Sequence, residues 1–94
     1  MTNELKEQIL KLSKRIEDEF EIEILEELTE FFEEEEYANL LLDTKVKKIK
    51  LFGDKDELSF IGFYLGDYHI TFNFEYGEDE EGPYYDVEVE ILNV

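Results

Sequence analysis

Residues 58–76 read LSFIGFYLGDYHITFNFEY, and their pattern of apolar and polar side chains is the strongest indication of the fold class. From Tyr68 to Tyr76, apolar and polar residues alternate without a break, which is the period of a strand with one buried face. Leu58 to Leu65 is apolar at nearly every position, as is typical of a central strand covered on both sides. Gly66-Asp67 joins the two segments with a two-residue hairpin signal. The stretch therefore predicts two neighbouring antiparallel strands.

Two further strands are predicted on either side of this hairpin. Lys45 to Phe52 is interpreted as the first strand, and Gly53 to Asp56 as the turn that follows it. Gly77 to Pro83 is interpreted as an acidic loop. Beyond the loop, residues 85–91 alternate between apolar and acidic side chains, which predicts a last strand.

The first part of the chain has no Gly or Pro before Gly53, and its apolar residues follow a helical period. These apolar residues form two sets, whose centres lie about 120° apart around the helix axis. This favours a break near Phe20 to Glu23 over one straight helix. The alternative is a short strand at Phe20, Ile22 and Ile24. Tyr37 to Leu42 is predicted to be a third helix or a packed connector. The two apolar sets are Leu5, Ile9, Leu12, Ile16 and Phe20, and then Ile24, Leu25, Leu28, Phe31 and Phe32.

The 94 residues are expected to form a single domain, residues 1–94, of the α+β class. Its helical part is predicted at residues 3–43 and its sheet part at residues 45–94. We expect two or three N-terminal helices packed on a four-stranded antiparallel meander sheet. The even-numbered face of the third strand and the odd-numbered face of the fourth are expected to form the core.

The net charge of −18, from 27 Asp and Glu against 9 Lys and Arg, excludes several function classes. Nucleic acids and anionic membranes both require a surface rich in Lys and Arg. The chain has no Cys, its first residues lack the basic and then apolar pattern expected of a signal peptide, and no uninterrupted apolar stretch approaches the length needed to cross a bilayer. We therefore expect a cytoplasmic protein. The charge also exceeds the magnitude of about 2–8 that gives a small domain its solubility.

The acidic residues are concentrated in two places. Residues 17–36 contain 12 carboxylates and no Lys or Arg, and on a continuous helix five of them would form one stripe at steps of three and four. Alternate residues of the last strand form a second row with about 6.6–6.8 Å between neighbours. The predicted partner-binding residues are Glu19, Glu23, Glu26, Glu27, Glu30, Glu33, Glu34, Asp79, Glu80, Asp86, Glu88 and Glu90.

Groups able to perform catalysis are few. His69 is the only His, and its position on the polar face of the third strand is typical of an ordinary surface residue. The acidic loops lack the spacing of a calcium-binding loop, and no Gly-rich phosphate loop is present. We expect no catalytic residue, no metal site and no cofactor, and therefore no enzyme.

The charge pattern predicts a non-enzymatic inhibitor that acts as a nucleic-acid mimic. Carboxylates held at fixed intervals could occupy the basic groove of a nucleic-acid-processing protein, such as a CRISPR effector, a restriction enzyme or a nuclease. The size and charge resemble those of phage-encoded acidic DNA-mimic inhibitors, a functional class without a common fold. The alternative is a regulatory or toxin-immunity module that binds a protein through an apolar patch at Tyr37 and Leu40 to Leu42, with the acidity serving solubility.

Overall fold

The computed structural model describes residues 1–93, and its architecture confirms the predicted α+β class. Three helices precede a four-stranded antiparallel sheet of order β1-β2-β3-β4. The chain forms two compact units, a helical unit from Met1 to Lys50 and a sheet unit that begins at Leu51. The elements are α1 (Asn3–Phe20), α2 (Leu25–Phe31), α3 (Glu35–Leu42), β1 (Leu51–Gly53), β2 (Phe60–Leu65), β3 (Tyr68–Asp79) and β4 (Gly82–Asn93).

Helix α1 begins and ends where its local chemistry requires. The hydroxyl of Thr2 caps the helix by accepting a hydrogen bond from the Leu5 N–H at 3.1 Å. The apolar residues predicted for one face of this helix are all buried. Glu21 ends the helix in the left-handed region, at φ 59° and ψ 33°. The predicted break is confirmed, and residues 21–24 form no strand.

None of the described helices is both long and apolar enough to cross a bilayer. The acidic stretch after α1 forms two short helices, α2 and α3, which are joined by a turn at residues 32–34. Leu28 and Phe32 are buried within it. The prediction of a third helix near Tyr37 is confirmed by α3.

The predicted first strand is wrong over most of its length. Val46–Lys48 forms a 3₁₀ turn, and strand pairing begins only at Leu51. The guanidinium Nη1 of Arg15 donates hydrogen bonds to the carbonyl oxygens of Val46 and Ile49, at 2.6 and 2.7 Å. Val46 and Ile49 are both buried, a three-residue spacing that a turn satisfies and a strand does not.

One face of the sheet is buried in the middle of its two central strands. Ile61 and Phe63 of β2 lie opposite Phe72 and Ile70 of β3, and all four side chains have no exposed area. The expectation that β3 contributes its even-numbered residues to the core is therefore confirmed for Ile70, Phe72 and Phe74, but is wrong for Tyr76, which is largely exposed. The same expectation for β4 is wrong, because its apolar side chains on this face are largely exposed.

The predicted acidic loop at Gly77–Pro83 is also wrong. Strands β3 and β4 each run for 12 residues and remain paired up to Asp79 and Gly82, which leaves a two-residue turn at Glu80-Glu81. Gly82 has φ 118°, a conformation that favours glycine. The Oδ1 of Asp79 accepts a hydrogen bond from the Glu81 N–H at 2.9 Å and fixes the turn.

Candidate partner-binding surface

The two units differ in how their acidic charge is compensated. Residues 1–50 contain 15 Asp and Glu and eight Lys and Arg, a net charge of −7. Residues 51–94 contain 12 Asp and Glu and a single Lys, Lys55, a net charge of −11. The sheet unit is therefore the more acidic of the two, although the longest acidic run lies in the helices.

The helical carboxylates do not form the single stripe that a continuous helix would give. Glu19 lies on α1, Glu23 lies in the segment between helices, and Glu33 lies in the turn after α2. Of the five residues of the predicted stripe, only Glu26 and Glu30 share one helix, four residues apart on its exposed face. Of the other predicted residues, Glu27 is half-buried on α2 and Glu34 is exposed in the turn before α3.

Helix electrostatics explain part of the acidity of the helical unit. Helix α2 has Glu26 and Glu27 in its first turn, and α3 has Glu35 and Glu36 there. Negative charge near a helix N-terminus is favourable by about 0.3–1 kcal/mol per residue. These four carboxylates therefore have a structural role that requires no partner.

The β3–β4 hairpin places a row of carboxylates on one sheet face. Asp86, Glu88 and Glu90 alternate along β4, and Glu75 of β3 lies directly opposite Asp86. All four side chains are exposed. Neighbours along β4 are about 6.6–6.8 Å apart. We call these four residues the acidic row. Three of them are predicted partner-binding residues, and the fourth, Glu75, was not predicted.

No cation lies in the hairpin sequence, since residues 56–94 contain no Lys or Arg. Like charges directly opposite each other on a sheet are destabilising. The pairing of Glu75 with Asp86 therefore lowers stability, unlike the carboxylates at the starts of α2 and α3. A charge arrangement that lowers stability is a better candidate for a binding surface than one that raises it.

The hairpin holds this row on a paired backbone rather than on a loop. Gly77 lies opposite Tyr84, and a Cβ at Gly77 would collide with the Tyr84 ring. The ring therefore covers the glycine and packs the two strands together beside the acidic row. At the tip, the predicted residues Asp79 and Glu80 are exposed, but one carboxylate oxygen of Asp79 is used by the turn.

Sequence reasoning missed Glu75 as a member of the surface. The alternation placed it on the polar face of its strand, but its partner on β4 depends on the register of the hairpin. The register could have been found by treating Glu80-Glu81-Gly82 as part of a tight turn, which sets Glu75 opposite Asp86.

The apolar patch of the alternative hypothesis has little exposed area. Leu41 is fully buried, and Tyr37, Leu40 and Leu42 are half-buried. The Tyr37 ring stacks on Phe31 with centroids 4.7 Å apart. These side chains pack within the helical unit.

The single histidine lies among aromatic rings. The imidazole of His69 stacks on Tyr64 with centroids 4.8 Å apart and meets the edge of Phe52 at 4.5 Å. Its Nε2 is buried and has no hydrogen-bond partner among residues 1–93. Within the same residues, no three His, Asp or Glu side chains converge in a group that could hold a metal ion.

The turn between β1 and β2 contains a carboxylate, Asp54, whose pKa is shifted by hydrogen bonds within the turn. Asp54 accepts hydrogen bonds from the Glu57 and Asp56 N–H groups and from the Ser59 hydroxyl. These bonds, led by that from the Glu57 N–H, lower the pKa of Asp54 below its ordinary value of 3.8. The arrangement fixes the turn.

Comparison with protein families, characterised proteins and solved structures finds no match to this chain.

Proposed function

We propose that this protein is a non-enzymatic acidic inhibitor that acts as a nucleic-acid mimic. Its acidic row occupies the basic binding groove of a nucleic-acid-processing protein, such as a CRISPR effector, a restriction enzyme or a nuclease. The observation that carries the proposal is the row of four exposed carboxylates on the uncompensated β3–β4 hairpin.

The spacing and the rigidity of the row support this function. The separation of about 6.6–6.8 Å between alternate residues is comparable to that of successive phosphates along a nucleic-acid strand. A paired hairpin keeps the carboxylates in place before binding, so that docking loses less conformational entropy than the binding of a flexible acidic tail. The high negative charge also accelerates encounter with a basic groove, more strongly at low salt.

The test is displacement of labelled DNA from a panel of purified nucleic-acid-processing proteins that includes each proposed target class. We expect displacement from at least one member, weakening as salt rises from about 0.05 to 0.5 M because shorter Debye lengths screen the contacts. Failure to displace DNA from any member of the panel would contradict the proposal.

Two variants with the same loss of charge locate the surface. The row variant carries Glu75→Gln, Asp86→Asn, Glu88→Gln and Glu90→Gln; the helical control carries Gln at Glu26, Glu30, Glu33 and Glu34. An exposed ion pair contributes about 0.2–1 kcal/mol, so loss of four such contacts, about 0.8–4 kcal/mol, should weaken displacement by about fourfold to several hundredfold. We expect that loss in the row variant alone. Equal losses would indicate an effect of net charge, and loss only in the control would place the surface on the helices.

A further inference from the structure

Strand β4 is an edge strand of the described sheet. It pairs with β3 from Gly82 to Asn93, and no other described strand lies beyond it in the sheet. Asp79 and Gly82 close a two-residue turn and form a hydrogen-bonded pair, so β4 residues alternate between pointing their backbone groups toward β3 and away from it.

The direction of each backbone group follows from this pairing. Gly82, Asp86 and every second residue up to Leu92 direct their N–H and C=O groups toward β3. Tyr85, Val87, Val89 and Ile91 direct theirs away from the sheet. Pro83 confirms this phase, because it has no N–H and occupies the first of the outward positions, where no ladder bond is lost.

The same outward residues carry exposed apolar side chains. Tyr85 and Val89 are 41% exposed and Ile91 is 38% exposed, whereas the same face is buried along β2 and at Ile70, Phe72 and Phe74 of β3. A strand added beside β4 would pair with the outward backbone groups of Val87, Val89 and Ile91 and cover part of this apolar row. The opposite face of the added strand would lie beside Asp86, Glu88 and Glu90.

A second copy of the chain is a poor occupant. Pairing of β4 with β4 of another copy would bring two sets of Asp86, Glu88 and Glu90 onto one face of the joined sheet. Like charges on neighbouring strands are destabilising, and each copy has a net charge of −18. The occupant that complements both faces is an extended segment with Lys or Arg at alternate positions and apolar residues between them.

We propose that β4 binds such a basic, alternating segment of a partner protein by strand addition. The backbone of Val87, Val89 and Ile91 pairs with the segment, and the cations of the segment lie beside the carboxylates of β4. This inference rests on the proposed function only in taking the partner to be a basic protein.

The experiment uses two synthetic peptides of identical composition, one alternating Lys with Val and one with its Lys and Val in separate blocks. We expect the alternating peptide to bind at least tenfold more tightly by calorimetry. Amide hydrogen exchange, followed by NMR, should slow at least tenfold at Val87 and Val89, and remain unchanged at Glu88, whose N–H already bonds to β3. Equal affinities without protection of the outward amides would overturn strand addition.

A pair of variants at Val87 separates the backbone contribution from that of the side chain. Val87→Pro removes one outward N–H and Val87→Ala retains it, while both shorten the side chain. We expect Val87→Pro alone to weaken binding of the alternating peptide by tenfold or more. Where circular dichroism shows that Val87→Pro does not fold, an alternating peptide with N-methylated amides replaces it, and undiminished binding of that peptide would refute the proposal.

The outcomes also distinguish this proposal from the proposed function. DNA displacement without preference between the peptides would leave the mimic standing and overturn strand addition. Binding of the alternating peptide with protection of the outward amides of β4, but no displacement of DNA from any protein of the panel, would support strand addition and overturn the nucleic-acid mimic. Concentration-dependent dimerisation in sedimentation experiments, with the same amides protected in the absence of peptide, would identify a second copy as the occupant and overturn the proposal.

Discussion

Neutralising the acidic row should raise the melting temperature of the protein. Glu75 and Asp86 lie directly opposite each other, and Glu88 and Glu90 follow Asp86 at alternate positions of the same strand. The three adjacent pairs are all repulsive, and the hairpin sequence supplies no Lys or Arg to offset them. We therefore expect the row variant, in which all four residues become amides, to be more stable than the wild type.

The magnitude follows from Coulomb's law in water with salt screening. Unit charges about 5.5 Å apart, the Cα separation of a hydrogen-bonded antiparallel pair, repel by about 0.75 kcal/mol in water. A Debye length of about 8 Å at 0.15 M salt reduces this to about 0.4 kcal/mol. Each pair along β4, about 6.7 Å apart, adds about 0.3 kcal/mol. The total of about 1 kcal/mol corresponds to a rise of about 4–8 °C for a domain of this size.

Thermal unfolding followed by circular dichroism at two salt concentrations measures this effect. In about 1 M salt the Debye length falls to about 3 Å, so the difference in melting temperature should almost disappear. Glu4→Gln is the control of opposite sign, because Glu4 lies in the first turn of α1, where its charge is favourable by about 0.3–1 kcal/mol. A row variant that melts at or below the wild type in 0.15 M salt would contradict this prediction, since the carboxylates would then stabilise the fold.

Three further predictions concern the contacts that hold each unit. Gly62→Ala should lower stability by about 1–3 kcal/mol, because the new Cβ would collide with the Phe52 ring and with a backbone carbonyl of β3; a melting temperature equal to that of the wild type would contradict this. Arg15→Met removes two charge-assisted hydrogen bonds to the 3₁₀ turn and should lower the urea midpoint by an amount equivalent to about 2–4 kcal/mol, whereas Arg15→Lys should lose less. The pKa of Asp54 is lower in the folded state, so the contribution of its charge to stability is present above pH 3.8 and is lost as the pH falls through the folded pKa. The difference in melting temperature between the wild type and Asp54→Ala should therefore shrink on acidification. A constant difference would show that the charge is not involved.

Local periodicity was sufficient to predict the elements whose side-chain spacing is regular. The alternation from Tyr68 to Tyr76 identified β3 and its buried face, and the Gly66-Asp67 signal identified the β2–β3 turn. The change of helical face near Phe20 predicted the end of α1, because a single straight helix cannot bury two faces that are about 120° apart. In each case the information lies within a few residues of the feature.

The errors lie where a distant residue decides the local structure. Arg15 donates hydrogen bonds to the carbonyl oxygens of Val46 and Ile49, more than 30 positions along the chain. The segment that its sequence pattern predicts to be a strand therefore forms a turn. The acidic sequence before Pro83 reads as a loop, although pairing with β3 extends the hairpin to Asp79. The membership of Glu75 in the acidic row depends on that same cross-strand register.

The outer strand of the sheet is the place where stability and binding make opposite demands. A long unpaired edge with exposed apolar side chains is a hazard, because identical edges can pair and aggregate. The carboxylates at alternate positions of β4 oppose that pairing between copies, since each copy brings the same charges to the same face. The same carboxylates attract a strand of opposite charge, so one pattern both prevents self-association and selects the partner. Neutralising the acidic row should therefore have two linked consequences, a higher melting temperature and a greater tendency to self-associate through β4.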